Sequence, residues 1–342
     1  MTTTTPKISI VLPCYNEEKF LGRAIESLTD DYVQEHGEIL VVDGLSTDET
    51  IAIAERYRAQ NYPVKLLTNK KRLQCYGLNM AIGEALGEII IRVDAHSSYP
   101  LGYVEKLVGL LESTGAANVG GVMLPIGHTR VQQAVALAMQ HPVGVGNARF
   151  HLGNFQGYVD TVYLGAFQKK ELLATGLFDT ECRTNEDAEL NIRLLKAGKK
   201  IYLDSSIQVE YLPRDTFGKL AKQYFLYGFG RAYTTVKHRL FTSYRQAAPP
   251  LLVMALVATL LLSLLNPLFL ILWGGYMGAL LAVALLTWRK REISFSIRVL
   301  MGVAFMVMHL SWGGGFIGFF IKKVWPKSMA KREQKANEKE MD

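Results

Sequence analysis

Three runs near the end of the sequence, residues 248–265, 267–287 and 299–321, contain no Asp, Glu, Lys or Arg. Each approaches the roughly 20 residues that a helix needs to cross the hydrocarbon core of a bilayer. Core helices of a water-soluble domain are the alternative, but such length without charge favours membrane spans. Asn266 and Pro267 are expected to break the first run from the second. The whole 342-residue chain is 49% hydrophobic and 20% charged. That balance fits a soluble domain and a membrane region joined in one chain.

The charge pattern adds a constraint and a conflict. The net charge is +7, with basic residues crowded beside the apolar runs in "WRKRE" and "KKVWPKSMAKREQKANEKE". This placement points to an anionic lipid surface rather than to nucleic acid. No apolar stretch follows a basic start at the N-terminus, so a signal peptide is not expected and the first domain should stay cytosolic. The positive-inside rule then puts Arg289, Lys290 and Arg291 inside after two crossings. A third crossing would carry the basic tail outside. Either the third run does not cross fully, with Gly313, Gly314 and Gly315 as the place for a break, or an earlier segment is re-entrant. Cys14, Cys75 and Cys182 are far apart and show no CxxC spacing. They suggest neither a disulfide framework nor a zinc site, and suit a reducing compartment.

Upstream, strand-like and helix-like stretches alternate. Residues 8–12, 39–42, 64–67 and 89–93 are short apolar runs. Helical spacing lies between them, at 20–28, from Ser46 toward Asn61, and at 77–86. Ser46 and Glu49 read as a capping box for the second of these helices. The alternation predicts βαβ units and a mostly parallel sheet, whose ligands bind at the carboxyl ends of the strands. Polar clusters stand at those ends: "PCYNEE", "DGLSTD" and "DAH". From 115 to 215 the pattern is mixed, with one clear helix at 188–196. Residues 216–239 form an amphipathic segment with Tyr224, Phe225, Tyr227, Phe229 and Tyr233. These aromatics suit either a membrane interface or a packed helix.

Each cluster has a structural and a chemical reading. In "PCYNEE", Pro13 and Tyr15 can present a ring to a flat base, or Glu17 and Glu18 can simply begin a helix. Asp43 ends a strand before a glycine turn, where an acid can accept hydrogen bonds from a base or ribose. Asp94 and His96 alternate around Ala95, so both can point the same way on extended backbone. One or two carboxylates suffice to share a divalent cation with a diphosphate, and an imidazole suits Mn²⁺ as well as Mg²⁺. In "RTNEDAELNIRLLKAGKKIYL", Glu186 and Asp187 either start a helix or supply a general base. Adjacent acids tend to raise each other's pKa. In "QYFLYGFGRAY", Arg231 can hold a phosphate or be ordinary interfacial charge.

In this order the clusters resemble glycosyltransferase family 2 with a GT-A fold, specifically its membrane-associated, ExoA-like (succinoglycan glucosyltransferase type) branch. The matching stretches are "ISIVLPCYNEE", "ILVVDGLSTDET", "GLNMAIGEALGEIIIRVDAHSSYP", "VYLGAF" and "GLFDTECRTNEDAELNIRLLKAGKKIYL". The resemblance implies a GT-A Rossmann-like α/β domain, followed by transmembrane helices. It implies that Pro13, Tyr15, Glu17, Asp43, Arg72 and Asp94 line the donor nucleotide. Asp94 and His96 then stand at the family's metal motif, for Mg²⁺ or Mn²⁺, and Asp187 at its base, with Glu186 beside it. Gly165, Gln223 and Arg231 are implied near the acceptor or diphosphate. The motif reads Asp-Ala-His, lacking its second carboxylate. The QxxRW of processive synthases is absent, since Gln223 begins Gln-Tyr-Phe-Leu-Tyr.

The implied protein is an inverting hexosyltransferase at the inner or plasma membrane, multi-pass, with a cytosolic catalytic domain. Its donor is a nucleotide-diphosphate sugar, expected to be UDP-linked, with UDP-glucose as the candidate. Its acceptor is a polyprenyl-diphosphate-linked saccharide in polysaccharide or glycan synthesis. Membrane lipid is a partner and nucleic acid is not. The expected divisions are a catalytic domain at 1–215, an interface segment at 216–246, a membrane region at 247–321 and a polar tail at 322–342. The alternatives are transfer to polyprenyl monophosphate, whose phosphate oxygen needs no base, or a dead transferase domain serving as a membrane-anchored assembly protein.

Overall fold

A computed structural model describes residues 6–240, 244–287 and 292–324. The basic loop at 289–291 and the tail from 325 onward lie outside the described residues. The chain begins with β1 (Ile8–Cys14), α1 (Leu21–Leu28), α2 (Asp31–His36), β2 (Gly37–Asp43), α3 (Thr50–Ala59), β3 (Val64–Thr68), α4 (Gln74–Glu84) and β4 (Ile89–Arg92). It continues through β5 (Ser97–Ser98), α5 (Tyr103–Thr114), β6 (Asn118–Pro125), α6 (Arg130–Met139), α7 (Pro142–Val145) and α8 (Arg149–Leu152). Then come β7 (Gln156–Tyr158), β8 (Tyr163–Gln168), α9 (Lys169–Thr175), α10 (Glu186–Lys196) and β9 (Ile201–Tyr211). The last part is helical: α11 (Phe217–His238), α12 (Ala248–Leu262), α13 (Leu270–Leu286) and α14 (Phe295–Phe319).

These elements form two compact units, Met1–Ile126 with Asn147–Leu212, and Gly127–Gly146 with Pro213–Asp342. The first unit is an α/β domain on one sheet of order β3-β2-β1-β4-β8-β6-β9-β5, with β7 also paired to β9. Strands β3, β2, β1 and β4 are mutually parallel. Beyond β4 the sheet is mixed: β8 runs antiparallel to β4 and β6, and β6 is parallel to β9. Strands β2, β1 and β4 lie inside the sheet, so their Ile, Val and Leu residues are buried; Ile8, Ile10, Val11, Ile39 and Leu40 have no exposed surface, while β3 is the edge strand and buries only Val64. Strands covered on both faces read as continuous apolar runs rather than alternating ones.

The Ser46–Glu49 capping box does not form. Asp43 draws in the N–H groups of Leu45 and Ser46, and Ser46 Oγ accepts from the N–H of Asn16 at 2.9 Å. With Ser46 committed to the loop, Asp48 caps instead, its Oδ1 accepting from the N–H of Thr50 at 3.1 Å.

The second unit is helical. Thr216 caps α11 by accepting from the N–H of Lys219 at 3.3 Å. Helix α14 runs unbroken through Gly313, Gly314 and Gly315, contrary to the expected break. Two of those glycines permit close backbone packing. A Cβ on Gly315 would lie 1.9 Å from the carbonyl oxygen of Phe225, and one on Gly313 would lie 2.4 Å from that of Pro249. On α11, a Cβ at Gly228 would lie 1.9 Å from the carbonyl oxygen of Trp312. The two helices therefore meet backbone to backbone, with Phe229 and Phe319 edge-on at 5.2 Å.

Helices α12 and α13 present most of their apolar side chains outward. Leu261 is 61% exposed and Ile271 66%. The turn between them falls at Asn266 and Pro267, as the sequence predicts. Its N–H groups are taken internally: Ser263 by Thr259, Leu264 by Leu261, and Leu265 and Asn266 by Leu262. The Asn266 side chain accepts from Leu268, and its carbonyl accepts from Phe269. The stretches Pro267–Leu286 and Phe295–Lys322 are each long and apolar enough to cross a membrane; Ala248–Leu262 is shorter.

Candidate active site

Parallel pairing sets the ends of β1, β2, β3 and β4 along one edge of the sheet, and the loops leaving it carry the polar clusters. The register matches Cys14 with Asp43 and Asp43 with Thr68. The loop after β1 is tied by hydrogen bonds to the loop after β2 and the start of α3. Asn16 takes a left-handed φ of 54°, its Oδ1 accepts from the N–H of Thr47 at 2.9 Å, and the N–H of Glu17 reaches Thr50 Oγ1 at 2.8 Å. Pro13, next to the end of β1, is half-buried, while Tyr15 stands 52% exposed just beyond the strand. Asp43 is buried, and part of its bonding capacity holds its own turn. Arg72 lies exposed in the loop after β3, with a φ of 59°.

The centre of the arrangement is Arg92, the last residue of β4 and only 6% exposed. Its guanidinium meets three carboxylates: Asp94 Oδ1 at 3.3 Å, Glu186 Oε1 at 3.4 Å and Asp187 Oδ2 at 3.3 Å. Asp94 comes from the loop after β4, and the two acids from the first turn of α10. Asn185 opens that helix at a φ of 62°. Further along α10, Glu189 is fully buried and forks onto Arg193, which also donates to the carbonyls of Thr175 and Leu177. These bonds fix the helix carrying the two acids.

Burial alone would pull the Arg92 guanidinium down. The charges of Asp187, Asp94 and Glu186 outweigh it and hold Arg92 above its ordinary value. Burial, then the neighbouring Asp187, push Glu186 up to about 7, with Arg92 opposing. Asp187 is also raised, by burial first and by Asp94, again against Arg92. One guanidinium among three acids leaves the cluster rich in negative charge. Two of its buried atoms, Arg92 Nε and Asp187 Oδ1, have no hydrogen-bond partner. Unpaired buried polar atoms are costly unless a ligand or water meets them.

Tyrosines frame the other side of Asp94. The Tyr99 hydroxyl accepts from the Asp94 N–H at 2.7 Å and donates to the Asp94 carbonyl at 2.9 Å. This closed pair fixes the backbone that aims the carboxylate. Tyr163 OH lies 3.2 Å from Ser97 Oγ. His96 turns Nδ1 toward Glu17 Oε1 at 3.5 Å and sits edge-on to Tyr211 at 6.0 Å. Among the described residues, no three His, Cys, Asp or Glu side chains gather as a metal cage.

The structure thus brings Asp94, Glu186 and Asp187 together through Arg92, and His96 together with Glu17. Gly165 on β8 has a packing role: a Cβ there would lie 2.3 Å from Asn118 Oδ1. Gln223 and Arg231 belong to α11 in the second unit, where Gln223 donates to the hydroxyl of Tyr227 at 2.9 Å. Sequence reasoning missed Arg92, Tyr99 and Tyr163 as parts of the site. The available signal was a lone Arg at the end of "IIIR", which needs buried acids as partners.

Residues 9–167 match the family model of glycosyl transferase family 2. The chain is 34% identical over 315 residues to the succinoglycan biosynthesis protein ExoA of Rhizobium meliloti (strain 1021), covering 92% of this chain and 94% of that protein. It is 31% identical over 230 residues to a dolichyl N-acetyl-α-D-glucosaminyl phosphate 3-β-D-2,3-diacetamido-2,3-dideoxy-β-D-glucuronosyltransferase of Methanococcus voltae, covering 65% of this chain and 71% of that one. In fold it is similar to the mannosyltransferase PcManGT from Pyrobaculum calidifontis, solved with GDP-Man and Mn²⁺. The TM-score is 0.58 at 19% identity, covering 95% of this chain and 89% of that one.

Proposed function

The chain belongs to glycosyl transferase family 2 and is a glycosyltransferase, and from that premise we propose that it transfers a hexose, with inversion, from a nucleotide-diphosphate sugar to a polyprenyl-diphosphate-linked saccharide in polysaccharide or glycan synthesis. The reading is carried by the cluster at the carboxyl end of β4, where Asp187 has a buried, unbonded Oδ1 beside Arg92. A carboxylate oxygen held without a donor, with its basicity raised by burial, suits a general base. The Asp187 carboxylate takes the proton of the acceptor hydroxyl. The hydroxyl oxygen then forms its bond to the anomeric carbon as the bond to the diphosphate breaks, and the electron pair leaves with the diphosphate. Arg92 is the positioning residue, holding Asp187 and Asp94 to one guanidinium. The likeness to ExoA, a succinoglycan biosynthesis protein, supports a place in polysaccharide synthesis, and the likeness to a transferase named for a dolichyl phosphate sugar supports a lipid-linked acceptor; a UDP-sugar is the proposed donor.

The donor set fits a divalent cation shared with the diphosphate rather than one caged by protein. Asp94 offers one carboxylate, and a hard cation that keeps its waters and takes phosphate oxygens needs only one or two from the protein. Asp94 would hold it, with His96 beside it, steered by Glu17. When bound, the cation neutralises charge on the departing diphosphate. Tyr15, Glu17, Asp43 and Arg72 are proposed to receive the nucleotide. The exposed apolar helices of the second unit support attachment to a membrane, with the catalytic unit on its cytosolic side.

Asp187→Asn should abolish transfer, read as released nucleoside diphosphate, while titration with UDP and Mn²⁺ shows binding retained. Full activity in that variant would remove Asp187 as the base. Asp94→Ala should weaken UDP binding only when Mn²⁺ is present. Unchanged affinity with and without the metal would take Asp94 out of the site.

A further inference from the structure

The basic loop at 289–291 and the basic tail ask to lie on one side of the membrane, and α14 stands between them. Helix α14 differs from α13 in how it is covered. In its most apolar stretch 39% of residues are buried, against 11% for α13. Its covering comes from two segments tied closely to the α/β unit by the chain. The segment carrying α6 and α7 leaves that unit after Ile126 and re-enters it at Asn147. Helix α11 begins only a few residues after β9 ends. The first segment has only 20 residues, Gly127–Gly146, in which to leave and return, and α11 carries Lys219, Lys222, Arg231 and Lys237 and is not among the stretches apolar enough to cross a membrane.

These segments, together with the end of α13 that is tied to them through His141, hold α14 along most of its length. Near the start, Arg298 donates to the carbonyls of Leu285 and Thr287, at the end of α13. The Thr287 hydroxyl is 3.3 Å from His141 Nε2, just before α7. In the middle, the His309 ring bonds through Nε2 to the carbonyl of Val143 at 2.6 Å and through Nδ1 to Tyr276 OH at 3.1 Å. The His141 ring lies 5.5 Å from Phe305. In the last third, α11 meets Gly315 and Phe319. From Arg298 to Phe319 a helix rises about 30 Å, roughly the full hydrocarbon thickness. A spanning helix cannot touch segments from one face of the membrane at its start, its middle and its end.

We propose that α14 lies along the bilayer surface on the side of the α/β unit, and that the α12–α13 hairpin is the part of the described chain that enters the lipid. The exposed leucines of the hairpin then have their covering. The loop at 289–291 and the tail stay on one side, as their charge requires. Arg298 and His309 stay out of the hydrocarbon centre, where such groups are expensive. This rests on the reading that the hairpin enters a membrane, and not on the identity of the reaction.

The test uses the full chain in a bacterial inner membrane. A fluorescent protein that matures only in the cytosol and a phosphatase active only outside are each fused after Asp342. Phe295→Cys and Ile321→Cys, at positions 70% and 63% exposed, are probed with a membrane-impermeant maleimide before and after permeabilisation. The three native cysteines are buried. The expected result is co-flotation with lipid, fluorescence without phosphatase activity, and labelling at both positions only after permeabilisation. An active phosphatase, with Ile321→Cys labelled in intact cells, would overturn the proposal and leave the transferase reading standing. Failure to float with lipid would overturn it together with the membrane reading, while sugar transfer by the soluble chain is measured separately.

Discussion

Strand β1 and helix α12 draw on the same apolar residue types and meet opposite fates. In β1, Ile8, Ile10, Val11 and Leu12 are wholly buried; in α12, Leu251, Val257, Leu260 and Leu261 are more than half exposed. Hydrophobicity says only that something must cover these side chains. The backbone decides what can. A strand leaves its N–H and C=O groups for neighbours, so it must be covered by protein that completes a sheet. A helix satisfies its own backbone and can be covered by lipid. The first unit therefore carries its core inside, and the second carries exposed apolar helical surface of the kind that lipid can cover.

The largest test of this contrast is Arg92→Leu, at the charged end of a buried strand. It strands three acids among apolar neighbours, and breaking a buried ion pair costs about 3–5 kcal/mol. Thermal unfolding of the first unit should fall sharply, while co-flotation with lipid is unchanged. A stable, active variant would show that the three carboxylates do not need the guanidinium. Next is the same truncation made twice. Ile91→Ala empties a buried site and should cost about 2–5 kcal/mol, whereas Leu261→Ala on α12 should stay within about 0.5 kcal/mol, as exposed substitutions do. Equal losses in detergent would mean that α12 is packed in protein and the comparison fails.

Gly228→Leu should come below those, near the roughly 1–3 kcal/mol of an overpacked contact. It should loosen α11 from α14, seen as faster proteolysis of the second unit with UDP affinity unchanged. The smallest effect is a pH trend. Because Glu186 is raised from its ordinary value to about 7, the folded state binds more protons than the unfolded one between those values. Its contribution is full below about pH 4.5 and is lost as pH rises through 7. Glu186→Gln should remove that loss, so the variant gains on the native chain as pH rises from 5 to 8. A constant difference in melting temperature across that range would contradict the burial of Glu186 as a charged group.

The strands that build the site were legible because buried parallel strands announce themselves as apolar runs, as 39–42 and 89–91 do. Their polar ends were legible because a charge in such a place needs a reason. Asp94 and Asp187 could be singled out in this way, with the family resemblance assigning their roles. Arg92 could not, since its significance lies in acids nearly a hundred residues away. The Ser46 cap failed for a similar reason: its competitor, the N–H of Asn16, sits in another loop. Strands β6 and β8 fell in the glycine-rich stretch, where alternation is blurred by covered faces, and β7 is only three residues long. The grouping of 127–146 with the C-terminal helices was invisible, because partners such as His309 and Thr287 lie far downstream.

The turn joining α12 to α13 brings its own donors' partners with it. From Ser263 to Phe269, each N–H is answered within the turn, and Pro267 has none to answer. The donors of such a turn need little water. On the proposal that the hairpin enters the lipid, its tip would be free to settle at the depth its leucines favour, following the local bilayer thickness as a float follows its waterline.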